Sequence, residues 1–573
     1  MQRMSVLFSV LMLLFTLSCS TTNTGGQQSP VVETHYRIPA SYPVPPNPSF
    51  PDNPTPAQYN YALFTRYSYD PEPKQLRAIL ILMPGIYGGS SDFDNIAKTV
   101  VAASKGGIEV WTIDRRSMQI EDLTGFQEAY RKRDPSIAYG YYFSGATVDG
   151  KTYGGPVDPS AISYISEWGL DMTIHDLNDV VSLVPRQYRK TNVFLGAHSL
   201  GSWIIEDYAA SDFGTASAPQ PGYDNVAGLI MIDGGGTGTL PTLTEAQYLS
   251  GTAGNAVTLS GLSFPLPGIS TLRQTPAQNT IAAFLGEFGP MVSQILVYIQ
   301  IAGLYAAFAG DALTPLLQAD NFQLINTLLM GGNMNAKVTN EAMLGFTMDR
   351  HFDPLTILTL TLGLPNGPLA PTTSPLAPGQ TMYKPTDPGT MVYTWNGGDH
   401  ITGIKALEAA LSDTYTTLTE WYFPTRLLVD LCAMGDTYGL NTQGWQAGYG
   451  FNFTYTSNMD APVLAFGGGS GLEQTATVFY KYRGLLPPAR NCDDQPRTAC
   501  GFDIHIMPGY THFDMLLSDP SIPADTIDPT IYTWIMSNTS GSMPSSALSG
   551  LPAPHESVSR ADDAAGNDRE QDE

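Results

Sequence analysis

Asn192–Trp203 reads NVFLGAHSLGSW. A short apolar run enters Ala197-His198-Ser199-Leu200-Gly201, and a helical pattern follows. This is the G-x-S-x-G nucleophile pattern, with Ala at its first position. A serine on so sharp a turn has its hydroxyl lifted above a sheet. Small residues two before and two after let strand and helix approach. The new helix points its first N–H groups and the positive end of its dipole at developing negative charge. Ser199 is therefore the candidate nucleophile.

Its base is found by elimination among eight histidines. His35 lies near the N-terminal region and His555 near the C-terminus. His175 sits on a helical pattern, His351 and His400 in a long irregular interval, and His505 inside a strand pattern. His198 adjoins the nucleophile and reads as support beneath the turn. His512 follows the last strand pattern, in Met507-Pro508-Gly509-Tyr510-Thr511-His512-Phe513-Asp514. From there it can take the serine proton and return it to a leaving group. Asp514 reads as the cap of the following short helix.

The third member has three candidates. Asp233 ends the strand pattern after the Ser199 helix and is the first choice. Glu473 follows the next strand pattern and is the second. Asp460 is the third. An oxyanion hole needs two donors: the Leu200 N–H, and an N–H from Met83-Pro84-Gly85-Ile86-Tyr87-Gly88-Gly89, with Ile86 preferred over Tyr87. That glycine-rich stretch lacks the Lys-Ser/Thr of a phosphate loop.

These residues all follow runs that read as buried strands: Arg77–Met83, Ile108–Ile113, Val193–Leu195, Val226–Ile232, Pro462–Phe466 and Phe502–Met507. Continuous apolar runs fit strands covered on both faces of a parallel sheet. Helical patterns at Phe93–Ser104, Met172–Val184 and Leu200–Ala210 alternate with them, which predicts an α/β fold. Ligands in such folds bind at the carboxyl ends of the strands. The rhythm breaks over residues 237–459, a large and mainly helical insertion. Within it, Met291–Ala309 carries no charge. By length and composition it fits a membrane span, a buried cap helix, or a lid over an apolar substrate.

The ends read differently. Residues 1–19 have a basic start, a short apolar run and small residues, the pattern of an export signal. Leu17-Ser18-Cys19 resembles the bacterial lipobox, with Thr16 where Leu is usual. That resemblance implies a lipid on Cys19, Ser20 being compatible with outer-membrane sorting; plain secretion or a periplasmic location is the alternative. The lipid would be the only membrane contact. Residues 20–58 read as a tether and Pro-rich linker, and 542–573 as a disordered acidic tail. The catalytic body then comprises 59–236 and 460–541. In an exported protein Cys492 and Cys500 can form a disulfide, and Cys432 reads as a buried thiol.

Composition agrees with one large body. Of 573 residues 42% are hydrophobic, and the net charge is 28 − 53 = −25. Only 14% are charged, against about 25% on average. An acidic, Lys/Arg-poor chain does not suit nucleic acid, whose phosphates need a basic patch.

Taken together, the elbow, His loop and strand ends resemble the α/β-hydrolase superfamily over residues 77–236 and 460–518. The Pro508–Asp514 loop is similar to that of acid-lipase-like members. Asp114-Arg115-Arg116-Ser117 resembles a feature of some bacterial hydrolases of unassigned substrate. By that resemblance Pro84 stands where a His is frequent, and the usual acid position after the later strand holds Ser470. The resemblance implies an α/β-hydrolase fold. Ser, His and a backbone oxyanion hole transfer acyl groups to water without metal or cofactor. The expected substrate is a small carboxylic ester with an apolar acyl group. Peptide or amide hydrolysis, or a non-catalytic envelope binding lipoprotein, are the alternatives.

Overall fold

The computed structural model describes residues 30–555, apart from 216, 253–256, 260–261, 281–291, 319–329, 331–334, 354–358, 374–380, 399, 413–417, 436–443, 493–494, 499 and 520–525. Cys19, the signal and the acidic residues from 556 onward lie outside the described residues.

Eight strands form one sheet: β1 (Val31–Pro39), β2 (Tyr61–Tyr69), β3 (Ala78–Met83), β4 (Ile108–Asp114), β5 (Val193–His198), β6 (Gly228–Ile232), β7 (Val463–Gly468) and β8 (Phe502–Met507). Their order in space is β1-β2-β4-β3-β5-β6-β7-β8. β2 is antiparallel to β1 and β4, and all other pairs are parallel. With helices on both faces, this is the α/β-hydrolase fold.

The apolar strands are buried on both sides because their side chains alternate between two layers. Leu80 and Leu82 of β3 join a core with α1 (Asp94–Ala103) and α8 (Ile527–Asn538). Ile79, Ile81 and Met83 join another with α2 (Leu170–Val181) and α3 (Leu200–Ala210).

The insertion enters between β6 and β7. It includes α4 (Val292–Ala309), α5 (Asn340–Met348), α6 (Ile404–Leu411) and α7 (Thr425–Met434), with short strand pairs such as Leu369–Thr373 against Thr381–Pro385. Most of α4 is buried, and it packs on α5 and α6. Gly303 permits that approach: a Cβ there would sit 2.3 Å from the Leu411 Cβ. Among the described residues no helix is long and apolar enough to cross a membrane.

Two boundaries differ from the sequence expectation. The expected linker contains β1, whose whole length pairs with β2. Beyond it the Pro-rich run is docked, with Asn47 fully buried and bonded to the Ser163 and Arg273 carbonyls. The expected tail begins with ordered chain. Met543 is fully buried and pairs with Leu76, and Leu548 packs beside it in the second core. Proline and serine content hid both segments, because each is ordered by a partner distant in sequence. Cys492 and Cys500 stand in disulfide geometry with Cα atoms 5.8 Å apart. Cys432 is a buried free thiol on α7.

Candidate active site

Ser199 and Asp233 each sit one residue past the end of a strand, and His512 lies in the loop five residues past β8. Ser199 continues the ladder from β5, its N–H bonded to the Ile232 carbonyl at 2.9 Å. Its φ of 54° and ψ of −129° lie outside the regions open to ordinary residues. The turn is tight enough to need glycine around it. A Cβ at Gly234 would meet the Ser199 carbonyl oxygen at 2.1 Å, and one at Gly201 the Met83 carbonyl at 2.4 Å. Leu200 opens α3, where first-turn N–H groups have no intrahelical acceptor.

Asp233 follows β6, its N–H bonded to the Phe466 carbonyl at 2.8 Å. Its Oδ2 accepts from His512 Nδ1 at 2.6 Å. Three backbone amides, one at the end of β7 and two in the loop after it, complete its shell: Gly468 and Glu473 on Oδ1, Leu472 on Oδ2, at 2.8–2.9 Å. Burial opposes its charge. The hydrogen bond and charge of His512, with the Gly468 and Leu472 amides, outweigh burial and hold the carboxyl below its ordinary range. A Cβ at Gly471 would lie 2.2 Å from Asp233 Oδ2, so the loop can wrap the carboxylate only with glycine there.

The structure thus brings Asp233, the first choice, to His512. Glu473 turns its carboxylate to the Thr239 hydroxyl at 2.6 Å. Burial, reinforced by the charge of Asp233 and opposed by Thr239, pushes its pKa up to about 7. Asp460 pairs instead with Arg490 and Lys190. Ser470, at the usual acid position, lies in the loop that supplies amides to Asp233.

His512 is reached through the Pro508-Gly509 turn after β8. Its ring lies 4.3 Å from that of His198, tilted by 36°, and His198 Nε2 bonds the His512 carbonyl at 3.0 Å. Burial and the neighbouring His512 push the His198 pKa well down. His198 is therefore a neutral donor that fixes the His512 backbone. Asp514 does not cap a helix. Its carboxylate accepts from the Thr361 amide and hydroxyl, the Thr402 hydroxyl and the Thr511 amide. His505 stacks on Phe466 within the sheet.

The loop with Ile86 and Tyr87 lies against the nucleophile. A Cβ at Gly85 would fall 2.7 Å from the Ser199 Cβ and 3.3 Å from its Oγ. Ser199 and His512 are only 4% and 3% exposed. Among the described residues no group of three His, Cys, Asp or Glu side chains is arranged to hold a metal ion.

No family model and no curated protein matches the chain. Several solved structures resemble it. A candidate lipase from Sulfolobus solfataricus is 13% identical at a TM-score of 0.41, over 91% of this chain and 98% of that one. A peroxisomal α/β-hydrolase from Saccharomyces cerevisiae is 10% identical at 0.35, over 95% and 100%. The monoacylglycerol lipase of Paleococcus ferrophilus is 10% identical at 0.32, over 83% and 99%. The fold itself rests on the strand order and the turn at Ser199.

Two outcomes test this geometry. Gly471→Ala should displace Asp233 and cut turnover by about 10–100-fold with the fold intact, since small misplacements carry such costs. The readout is kcat beside a circular dichroism spectrum. Glu473 gives a pH signature. Between the ordinary carboxyl pKa and about 7 the folded protein keeps a proton that the unfolded chain has released. Stability is therefore lost as pH rises through that window. Glu473→Gln should unfold at a higher temperature than wild type near about pH 8 and level with it near about pH 4.

Proposed function

We propose that the protein is a serine hydrolase that cleaves carboxylic esters with an apolar acyl group. The observation that carries this is the His512–Asp233 hydrogen bond of 2.6 Å at the strand ends, beside a serine held at positive φ. Asp233 fixes the proton on Nδ1 of His512, which turns Nε2 into the base. His512 takes the Ser199 proton as Oγ attacks the ester carbonyl. The tetrahedral oxyanion is held by the Leu200 N–H and an N–H of the 84–89 loop. His512 then protonates the leaving alcohol. Water, deprotonated by the same imidazole, releases the acid from the acyl-enzyme.

An apolar acyl group is supported by what accompanies the site. Tyr87 packs edge-on to Phe423 at 6.2 Å, and Trp421 and Tyr422 are buried beside Phe423 in sequence. An aromatic-rich setting favours an apolar substrate over a solvated one.

Purified protein should react with a fluorophosphonate probe at Ser199, and Ser199→Ala should not. Lack of wild-type labelling under native conditions would overturn the reading. Ser199→Ala and His512→Ala should each lower turnover of an aryl ester by about 10⁴–10⁶-fold. Faster cleavage of aminoacyl anilides than of aryl esters would make it an amidase instead.

We also propose, from the sequence of residues 1–19, that the protein is exported to the cell envelope and anchored by a lipid on Cys19. Two acyl signals hold a protein stably at a bilayer. Growth with an alkyne fatty acid should label the wild type in the membrane fraction. Label retained by Cys19→Ala would exclude the anchor.

A further inference from the structure

The loop that would supply the second oxyanion donor is held from behind by one buried guanidinium. Arg115, just past β4, donates to the carbonyls of Pro84 at 2.8 Å, Gly85 at 2.5 Å and Gly88 at 3.0 Å. Its Nε and Nη2 also bind Glu420 Oε2 at 2.9 and 2.5 Å. The Arg115 side chain is 3% exposed and that of Glu420 fully buried.

Glu420 belongs to the insertion, and its backbone grips the same loop. Its N–H bonds the Tyr87 carbonyl at 2.7 Å, and the Gly89 N–H bonds the Leu418 carbonyl at 3.3 Å. Its other oxygen, Oε1, accepts from the Ser117 hydroxyl.

Peptide geometry gives this clamp a direction. In a trans peptide the carbonyl of one residue points opposite to the N–H of the next. A guanidinium fixed on the Gly85 carbonyl therefore aims the Ile86 N–H away from itself. Gly85 is also the loop residue that Ser199 approaches, within the distances given above. We infer that Arg115, held by Glu420 of the insertion, is the positioning residue of the oxyanion hole, and that Ile86 rather than Tyr87 is its second donor. The inference rests on the serine-hydrolase reading. It makes the insertion part of the catalytic assembly.

Lysine cannot replace this arginine. It is a compact point charge, without the planar fork that here spans three carbonyls and a carboxylate. Arg115→Lys, Glu420→Gln and Ser117→Ala, made in the full chain, would be assayed on an aryl ester. Rates are counted per site titrated by fluorophosphonate, so that misfolded molecules do not contribute. Arg115→Lys should lower kcat by about 10²-fold, the scale of a lost or misdirected oxyanion donor, with KM changed by less than about 3-fold. Affinity for an arylboronic acid, whose tetrahedral adduct puts an oxygen in the hole, should fall with kcat. A merely structural role would lower the titrated fraction and leave kcat per site unchanged.

Ser117→Ala touches only the edge of the clamp. It should cost about 3–10-fold in kcat, again with KM held. If the two charge variants do not fold, this variant decides. Wild-type kcat per site and boronate affinity in folded Arg115→Lys, or in Ser117→Ala when it alone folds, would overturn the inference and leave the hydrolase reading standing. A wild type that neither labels nor turns over would remove both.

Discussion

The backbone at Ser199 is the constraint on which the site depends. Its positive φ costs about 1–3 kcal/mol and persists only where the surroundings over-determine it. Here they do. β5 lies inside the eight-stranded sheet with β3 and β6 as neighbours, every residue of it buried. The turn brings two other backbones within contact, at Gly85 and Gly234, while Gly201 of α3 lies against the Met83 carbonyl, and at each a Cβ would collide. The glycines are thus the space that the elbow occupies. Because Gly234 is next to Asp233, the same close approach places the acid.

Charge inside the protein is handled in two ways. Asp233, Asp514 and Glu420 are met by fixed donors: three amides and an imidazole, two amides and two hydroxyls, a guanidinium and a hydroxyl. Asp92, Glu206 and Asp207 instead have buried oxygens without a partner, and burial pushes each carboxyl well up. Asp233, held below its ordinary range, keeps its charge at neutral pH, whereas the second group holds protons. All three of the first group touch the loops of the candidate site or the residues that brace them. Carboxylates met by several fixed donors thus mark places in this interior where loops must keep one geometry.

Much of the fold was readable because parallel strands buried on both faces are continuous apolar runs. β3, β4 and α3 fall within a residue of where the pattern puts them, whereas β8, read as a buried strand, is an edge strand with Asp503 exposed and residues 504–506 only half-buried. The acid was not decidable from sequence. Asp233 and Glu473 both follow strands, and the difference is that Gly471 lets its loop fold around the former. Only the Gly467–Gly469 run, with Gly471 beyond it, hinted that this loop wraps something. β1 was missed because an edge strand with Glu33, His35 and Arg37 alternating with apolar residues lies beside a proline-rich run. The Arg115–Glu420 pair spans 305 residues, and no local pattern encodes it.

The insertion meets the hydrolase body at both candidate catalytic loops. Glu420 holds the loop after β3 through Arg115. Thr361 and Thr402 hold the loop after β8 through Asp514, while Thr511 donates to the Thr359 carbonyl at 2.7 Å. Lifting the insertion off the loop after β8 would take an amide and two hydroxyls from the buried Asp514 carboxylate. Lifting it off Arg115 would break a buried ion pair, and losing one partner of such a pair costs about 3–5 kcal/mol. That is a large share of the roughly 5–15 kcal/mol that stabilises a folded domain. At these two contacts the insertion is a brace, and motion that admits substrate must leave residues 418–420 and 359–361 in place. One large body, with its insertion threaded between the acid strand β6 and the amide-donating strand β7, follows from that requirement. The segment inserted into the hydrolase body is the segment that aligns its loops.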